Sequence, residues 1–383
     1  MSVLMTDANK TTYPMLQPIE GRTVAVVPAT PGRYNSFPCL ATEPHTGNVV
    51  LVYRQGRFDA ADDRPGMQTH GLDGGIWCVR RSPVGTWFEP TCLWSADGFE
   101  PGLIDATLSV LTDCTCLVVR RYPHAQNLFV SVAPNGTALE AMPWPWRLPT
   151  KDVFLNDAHW GRVVELPDRW LMVVYGITEE TLWWQNERGH KLPVERASLF
   201  ASFDKGRSWR FQSWIGPRVF MGAGSDRSAN ETSVVLAGSR LLALMRTFGG
   251  NDTMDQPAPL FMCHSDDGGW TWSEPTATGL YGEAPVWRQL ADGRLLACYR
   301  GFVPHRTAYE LGGTFCLAWF DSQTMGFGPE MVMGHYHGNH YDGGYGDVIE
   351  TEPGRALLCA FYASQDTHPD RRFPAIMTVD VAL

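Results

Sequence analysis

A hairpin-like segment recurs six times along the 383-residue chain, and this repeat constrains the fold more than any other feature of the sequence. Each copy has an apolar run, a turn that contains Gly, Asp or Pro, and a second apolar run that often ends in Tyr or Arg. The six turns are centred on Gly47, Asp113, Asp168, Gly238, Gly293 and Gly354. Successive turns are 66, 55, 70, 55 and 61 residues apart, which leaves room for about four short strands per repeat. We therefore predict an all-β fold, a six-bladed β-propeller, because a β-sandwich rarely repeats one hairpin six times.

A second pattern in the sequence supports the same fold. The segments "SFDKGRSW" (202–209) and "SDDGGWTW" (265–272) share the order Ser-x-Asp-x-Gly-x-Ser/Thr-Trp and begin 63 residues apart. A partial copy, "RSPVGTW" (81–87), keeps the Ser, Gly, Thr and Trp. Asp and Gly tolerate the backbone of tight turns, so Asp204 and Asp267 are predicted to lie in tight turns of hairpins.

The two ends of the propeller are predicted to share one blade. The segments "GRTVAVVP" near the start and "PAIMTVDV" near the end both have the pattern of strands, and pairing them would close the ring. We interpret residues 1–20 as an N-terminal extension and residues 21–383 as a single propeller domain that carries the functional site.

The charge and hydropathy of the chain exclude two classes of partner. There are 41 acidic and 31 basic residues, and the net charge of −10 argues against nucleic acid, which is bound by basic surfaces. No run of apolar residues is long enough to span a membrane. The basic residues are 27 Arg and four Lys, and Arg at strand ends is suited either to bidentate anion binding or to an ordinary surface position.

The cysteines and the first residues bear on cellular location. Nine cysteines occur without CxxC spacing, a pattern typical of reduced and buried thiols. The segment "MSVLMTDANKTTYP" lacks the basic-then-apolar order of a secretory signal. Both observations favour the cytoplasm.

The Ser-x-Asp-x-Gly-x-Thr-Trp unit resembles the Asp box of sialidases (neuraminidases), which are six-bladed propellers. The resemblance implies that Asp204 and Asp267 stabilise their turns and do not act in catalysis. The segment "SANETSVVLAGSRLLALMR" (228–246) resembles the sialidase segment in which a Glu is followed, across one hairpin, by a substrate-binding Arg; here these are Glu231 and Arg246. The segment "DGGYGDVIE" (342–350) resembles the one that carries the Tyr nucleophile, here Tyr345. The resemblance implies an exo-acting, retaining glycoside hydrolase that releases a terminal sialic acid or a related acidic sugar and needs no cofactor.

The implied chemistry explains why these residue types belong together. Sialic acid carries a carboxylate on its anomeric carbon, and this charge would repel an anionic nucleophile. A neutral Tyr hydroxyl that is deprotonated by a neighbouring Glu can attack instead. Tyr345 is thus the expected nucleophile and Glu231 its base. Alternatively, Tyr345 is an aromatic residue that fills the channel mouth, and Glu231 is an ordinary loop residue.

Further arginines are implied to hold the substrate carboxylate. Arg246 is the first candidate, and a second should follow the fifth hairpin, where Arg300 and Arg306 qualify equally. Sialidases carry another Arg near the first blade, but this chain has Ser36 at that position in "RYNSFPC". Arg33 and Arg54 are possible substitutes.

The acid/base is expected in the loop after the first hairpin. The segment "DRPG" (63–66) resembles the one that carries the acid/base Asp of sialidases, which makes Asp63 the candidate, while Asp59 and Asp62 are rivals. His70 is a further rival, because the pKa of His is naturally closer to neutrality.

The segment "HYHGNHYDGGY" (335–345) contains residue types that bind metals, namely His335, His337, His340 and Asp342. Nothing in the spacing fixes a complete ligand set, so we interpret the segment as a polar rim and predict no metal. Asp342 is assigned to the sugar pocket.

The Ser at position 36 keeps other functions open. One alternative is a sialidase-like propeller that acts on a different sugar, either an exo-arabinanase-like hydrolase or a His/Tyr polysaccharide lyase. Another is a non-catalytic carbohydrate-binding propeller. A Glu within hydrogen-bonding distance of a Tyr at the channel would favour an enzyme.

Overall fold

The computed structural model describes residues 13–57, 73–95, 102–121, 128–180, 183–185, 191–222, 225–249, 258–302, 312–337, 343–364 and 373–383. These residues form six antiparallel sheets arranged as the blades of a propeller. The strand before each of the six hairpin turns, which we call the inner strand, faces the central channel. The predicted all-β, six-bladed propeller is confirmed. Within these ranges the only helical segment is a 3₁₀ turn, Leu139–Ala141, and no helix is long and apolar enough to cross a membrane.

The first three blades follow one another along the chain, and their strands are numbered in chain order. Blade 1 contains β2 (Arg33–Thr42), β3 (Val49–Arg57), β4 (Gly75–Arg81) and β5 (Thr91–Trp94). Blade 2 contains β6 (Leu103–Val110), β7 (Cys114–Arg121), β8 (Leu128–Pro134) and β9 (Trp146–Arg147). Blade 3 contains β10 (Asn156–His159), β11 (Val164–Glu165), β12 (Trp170–Ile177), β15 (Arg196–Ser202) and β16 (Arg210–Trp214). A two-stranded ribbon lies between β12 and β15 in the chain and is formed by β13 (Trp183–Gln185) and β14 (Lys191–Pro193).

The other three blades complete the ring. Blade 4 contains β17 (Phe220–Gly222), β18 (Ser225–Ala237), β19 (Arg240–Gly249), β20 (Pro259–Ser265) and β21 (Thr276–Tyr281). Blade 5 contains β22 (Glu283–Gln289), β23 (Leu295–Gly301), β24 (Gly313–Asp321), β25 (Gly326–Phe327) and β26 (Met331–Tyr336). Blade 6 contains β27 (Gly343–Glu352), β28 (Ala356–Ala363), β29 (Ala375–Ala382) and β1 (Gln17–Val27).

The six predicted hairpins lie at the inner part of the blades, and the strands that flank each turn are paired. Four of the turns use a glycine with positive φ: Gly47 (68°), Gly238 (64°), Gly293 (87°) and Gly354 (69°). Gly has no Cβ and adopts this left-handed backbone at little cost, so the turn chemistry in the sequence sets where each blade reverses.

The ring is closed by pairing of the first and last strands. β1 lies antiparallel to β29, so the prediction that the two ends share one blade is confirmed. β1 begins at Gln17, inside the segment that the sequence assigned to an extension.

Apolar cores fill the spaces between neighbouring blades, and one of them joins Leu242 and Leu244 of blade 4 to Trp287 of blade 5. The Trp287 ring also stacks on Phe327 with centroids 5.5 Å apart and meets the edge of Phe320 at 5.2 Å. Each fully buried side chain of this size contributes about 2–3 kcal/mol of transfer free energy. None of the nine cysteines, all of which lie in the described ranges, forms a disulfide.

An ionic cluster, centred on Asp347, connects the inner parts of several blades in the channel. Arg288 donates to both Asp347 carboxylate oxygens, at 3.1 and 3.0 Å, and to the Leu40 carbonyl at 2.6 Å. The Leu40 N–H donates to the same carboxylate at 2.7 Å. Arg162 also contacts the Asp347 carboxylate and donates to the carbonyls of Leu40 and Leu108. The Asp347 cluster thus joins blades 1, 2, 3, 5 and 6.

The two Asp residues of the second sequence pattern are bound within their own turns. The Asp267 carboxylate accepts from the Trp270 and Thr271 N–H groups, both at 2.9 Å, and from the hydroxyls of Ser265 (2.7 Å) and Thr271 (2.6 Å). Asp204 makes the corresponding contacts in blade 3.

Candidate active site

The candidate site is built where the inner strands of several blades begin. In five blades the pairing of the inner strand with the next strand shifts near this end. The shifts lie between Ser36 and Cys39, Leu103 and Asp105, Ala229 and Thr232, Glu283 and Val286, and Gly343 and Gly346. A β-bulge changes the direction of a side chain, so these shifts re-aim residues toward the channel. Two of them contain a non-glycine residue with positive φ, Phe37 (53°) and Ala284 (52°). Such backbone costs about 1 kcal/mol or more and is typical of functional sites.

Tyr345 and Glu231 form a buried hydrogen-bonded pair between blades 6 and 4. The Tyr345 hydroxyl lies 2.7 and 2.9 Å from the two Glu231 carboxylate oxygens. The two residues are 6% and 8% exposed. Gly344, before Tyr345, has φ of 81°, and a Cβ there would lie 2.8 Å from the Arg300 side chain. The glycine therefore allows Arg300 to approach the start of β27.

Arg246 joins this pair to a second carboxylate. Its Nη1 donates to Glu231 Oε2 at 2.8 Å and to the Tyr345 hydroxyl at 2.9 Å. Its Nη2 donates to Glu283 Oε1 at 2.7 Å. One guanidinium thus contacts both the phenol and its hydrogen-bond acceptor.

Arg300 lies over the face of the Tyr345 ring. The guanidinium carbon is 4.0 Å from the ring centroid, a cation–π distance. Nη1 donates to Glu283 Oε2 at 2.7 Å, Nε to the Gly343 carbonyl at 2.7 Å, and Nη2 to the Tyr362 hydroxyl at 2.9 Å. Glu283 therefore bridges Arg246 and Arg300.

The electrostatics of this cluster keep the phenol protonated at rest. Burial raises the pKa of Tyr345 well above its ordinary value, and the charge of Glu231 raises it further. Arg246 and Arg300 act in the opposite direction, since positive charge favours the phenolate. A phenolate formed during a reaction would be stabilised by both guanidinium groups.

Aromatic rings enclose Tyr345. Trp160, Phe37 and Tyr362 meet its ring edge to face, with centroids at 5.2, 5.5 and 6.3 Å. Edge-to-face contacts of this kind hold a ring in one orientation. The phenol is consequently held with its hydroxyl toward Glu231 and Arg246.

Asp105, at the start of β6, is a second unusual carboxyl group near this mouth. Burial raises its pKa to about 6; Arg120 and Arg54 oppose this, while the charge of Glu231 adds to it. A carboxyl group with such a pKa can exchange a proton near neutral pH.

The first blade differs from the arginine pattern of sialidases. Ser36 is fully buried, and its hydroxyl has no hydrogen-bond partner among the described residues. Arg54 pairs with Ser36 across β2 and β3 but is itself enclosed, with no exposed surface. Its Nε donates to the Leu103 carbonyl at 3.0 Å, and a Cβ on Gly56 or Gly74 would lie within 2.5 Å of its guanidinium. Burial lowers the pKa of Arg54 to about 10.

The structure brings four of the predicted site residues together: Tyr345, Glu231, Arg246 and Arg300. Arg54 is enclosed on the blade 1 side and presents no surface to a ligand. Seven further candidates lie outside the residues that the structure describes; they are Asp63, Asp59, Asp62, His70, Arg306, His340 and Asp342. Their roles stay predictions. In the described part of the chain no three His, Cys, Asp or Glu residues are grouped as metal ligands.

Sequence reasoning missed Glu283 and Asp105, although a positional signal existed. The residues at the channel mouth precede their hairpin turn by similar distances: Ser36 by 11 residues, Asp105 by 8, Glu231 by 7, Glu283 by 10 and Tyr345 by 9. A search of this window before each turn would have found both carboxyl groups.

Comparisons with known proteins bear on the fold. No protein-family model matches the chain, and no curated protein matches it. Among solved structures, the chain is similar to a protein of unknown function from Dyadobacter fermentans, with 17% identity and a TM-score of 0.75 over 97% of this chain and 100% of that one.

Sialidases are also among the similar structures. A Hadza microbial sialidase is 14% identical with a TM-score of 0.58, over 91% of this chain and 66% of that one. Trypanosoma rangeli sialidase, solved with sialic acid, is 12% identical with a TM-score of 0.61, over 96% of this chain and 59% of that one. The chain thus spans less than two thirds of either sialidase, and at these identities the likeness concerns the fold alone. The chain has the sialidase-like six-bladed β-propeller fold.

Proposed function

We propose that this chain is a retaining glycoside hydrolase of the sialidase type, in which Tyr345 attacks a terminal sugar and Glu231 is its base. One observation carries the proposal: the Tyr345 hydroxyl donates to Glu231 at 2.7 Å while accepting from Arg246 at 2.9 Å. This is the arrangement of an activated nucleophile, with a base for the proton and a cation for the developing charge.

In the first step, the Tyr345 oxygen attacks the anomeric carbon as its proton moves to Glu231. The bond between that carbon and the leaving oxygen breaks, and the leaving oxygen takes a proton from an acid, for which Asp63 is the sequence candidate. Arg246 and Arg300 stabilise the negative charge that passes through the phenol oxygen. The product of this step is a glycosyl-tyrosine.

In the second step, a water oxygen attacks the anomeric carbon, and the bond between that carbon and the Tyr345 oxygen breaks, which releases the sugar. The water proton passes to the Asp63 carboxylate, and the Tyr345 oxygen recovers its proton from Glu231. Two displacements at one carbon retain its configuration.

Tyr345→Phe tests the proposal. This variant keeps the ring and loses only the hydroxyl, so we expect it to fold normally and to lose at least about 10³-fold in kcat/KM. Turnover is measured on a panel of aryl glycosides that includes an α-sialoside, an arabinofuranoside and a rhamnoside. With a slow substrate, mass spectrometry of the digested wild type should show a glycosyl adduct on the peptide that contains Tyr345.

Tyr53→Phe is the matched control. Tyr53 is also buried, and its hydroxyl has no hydrogen-bond partner among the described residues, so this variant should retain turnover. Equal turnover in Tyr345→Phe and wild type would reject the proposal. Sugar binding without turnover of any glycoside would favour a carbohydrate-binding propeller.

A further inference from the structure

The Glu283 carboxylate binds Arg246 and Arg300, the two arginines that the carboxylate of an acidic substrate would use. We propose that this internal anion restricts the subsite beside Tyr345 to a neutral sugar. The inference rests on the proposed function for the identity of the substrate as a glycoside. It departs from the acidic sugar that the resemblance to sialidases implies.

The geometry of Glu283 is that of a bound carboxylate. Its two oxygens accept separately from Arg246 Nη2 and Arg300 Nη1, each at 2.7 Å. These are the short distances of charge-assisted hydrogen bonds. The Glu283 side chain is 10% exposed, and those of Arg246 and Arg300 are 9% and 2% exposed. The carboxylate is therefore fixed between two largely buried cations.

The charges of the cluster already balance. Arg246 and Arg300 are matched by Glu231 and Glu283, so a substrate carboxylate would add an uncompensated negative charge to a buried site. Burying an unpaired charge is strongly unfavourable. A neutral sugar adds no charge and avoids this cost.

The donors of the two guanidinium groups are also engaged. Five of their six nitrogens donate to protein acceptors: two of Arg246 and all three of Arg300. An incoming carboxylate would have to compete with these acceptors for the two guanidinium groups. Ser36 of β2, at the position where sialidases carry another Arg, is uncharged, so this position adds no further cation to the cluster.

The backbone holds Glu283 in place. Glu283 begins β22 and pairs directly with Arg300 of β23. A Cβ on the preceding Gly282 would lie 2.3 Å from the Arg300 carbonyl oxygen, so only glycine allows this approach. Ala284, which follows, has φ of 52°. The carboxylate is positioned by strained and close-packed backbone, as expected of a built feature of the site.

The test compares acidic and neutral ligands on the intact chain. In the wild type, we expect kcat/KM for an aryl α-sialoside to be about a hundredfold or more below that for the best neutral aryl glycoside. Binding is measured separately by calorimetric titration with free N-acetylneuraminic acid. Glu283→Gln keeps the shape and removes one negative charge, so its affinity for this acid should rise about tenfold or more over the wild type.

Glu330→Gln controls for the change in overall charge. Glu330 lies in the same blade and accepts from the Tyr299 hydroxyl at 2.6 Å, away from the arginine pair. This variant should leave the affinity for N-acetylneuraminic acid unchanged. If Glu283→Gln does not fold, the titration of the wild type decides, because tight binding of the acid to the wild type overturns the inference.

The outcomes separate the inference from the proposed function. Preferential hydrolysis of the α-sialoside, abolished in Tyr345→Phe, would overturn the inference and support the function. Absence of turnover on every glycoside would reject the function, while a gain of acid binding in folded Glu283→Gln would still support the role of Glu283. A folded Glu283→Gln protein with unchanged affinity overturns the inference.

Discussion

Two buried Asp residues of the channel show how local partners decide the state of a carboxyl group. Burial raises the pKa of Asp105 to about 6, and nearby arginines do not reverse this effect. Burial also disfavours the charge of Asp347, but Arg162 and Arg288, with backbone N–H groups, hold its pKa below the ordinary value. The difference follows from direct hydrogen bonding, because Asp347 is bonded to both arginines.

We predict a pH-dependent effect of Asp105→Asn on stability. The pKa of Asp105 is raised in the folded state, so its favourable contribution is complete below the unfolded pKa, near 4, and is lost as pH rises through about 6. Asn does not titrate. Between pH 4 and pH 7, the free energy of unfolding of the variant should therefore gain about 2.5 kcal/mol relative to the wild type.

Urea unfolding of both proteins at pH 4, 5, 6 and 7 measures this difference. At each pH, the free energy of unfolding of the wild type is subtracted from that of the variant. The subtraction removes the contribution of every titrating group that the substitution leaves unperturbed. A difference that does not change across this range would show that Asp105 has an ordinary pKa.

At the scale of an element, the Asp-containing turns connect hairpin geometry to stability. Asp267 accepts four hydrogen bonds within its turn, whereas the adjacent Asp266 forms an ion pair with Arg240 at 2.6 Å on the surface. Hydrogen bonds to a fixed turn contribute about 1 kcal/mol each, and exposed ion pairs contribute about 0–1 kcal/mol. The two neighbours therefore differ in structural importance.

Asp267→Ala should lower the free energy of unfolding by about 2–4 kcal/mol, and Asp266→Ala by less than about 1 kcal/mol. Both residues follow Ser265, which pairs with Leu241 at the turn end of β19, whereas Arg246 lies toward the other end of that strand. Both variants should therefore leave the kcat/KM of the folded protein unchanged. Urea unfolding and a turnover assay check the two statements. Loss of turnover in a fully folded Asp267→Ala protein would mean that this Asp acts in the site.

The sequence predicts the hairpins well because their turns depend on local chemistry. Gly47, Gly238, Gly293 and Gly354 mark reversals that need no knowledge of neighbouring strands. The bulges at the channel mouth are different. A bulge displaces one residue of an apolar run, as at Ala284. The position of that residue depends on contacts with strands that are far away in the sequence, so local sequence does not predict it.

The same limit applies to individual site residues. Glu231 and Tyr345 were found because the segments around them resemble a known pattern. Glu283 lies in no such segment, and its contact with Arg246 is made between two blades. The enclosure of Arg54 depends likewise on Gly74 and on Leu103 of the next blade.

At the scale of the whole molecule, the Asp347 cluster couples blades that are not neighbours. Repeat proteins are commonly stabilised by contacts between adjacent units only. Here one carboxylate and two arginines connect five of the six blades through the channel. We therefore expect the ring to unfold as one unit.

Asp347→Asn should lower the free energy of unfolding by about 3–5 kcal/mol, because it leaves Arg162 and Arg288 buried without their counter-charge. Asp380→Asn is the control: Asp380 pairs with a single Arg, Arg81, between blades 6 and 1 near the rim. Its effect should be less than half as large. Unfolding in urea, followed by tryptophan fluorescence, compares the two, and equal losses would contradict a central role of the cluster.

The closing strand has a consequence for biosynthesis. β1 is synthesised first, yet its partner β29 begins about 350 residues later, so at about 5–20 residues per second roughly 20 to 70 s separate the two strands on the ribosome. Nine of the eleven β1 residues remain exposed even in the finished ring, and charged Glu20 and Arg22 protect such an edge from pairing with other chains. Blade 6, which carries Tyr345, is completed only when translation has reached its last strand.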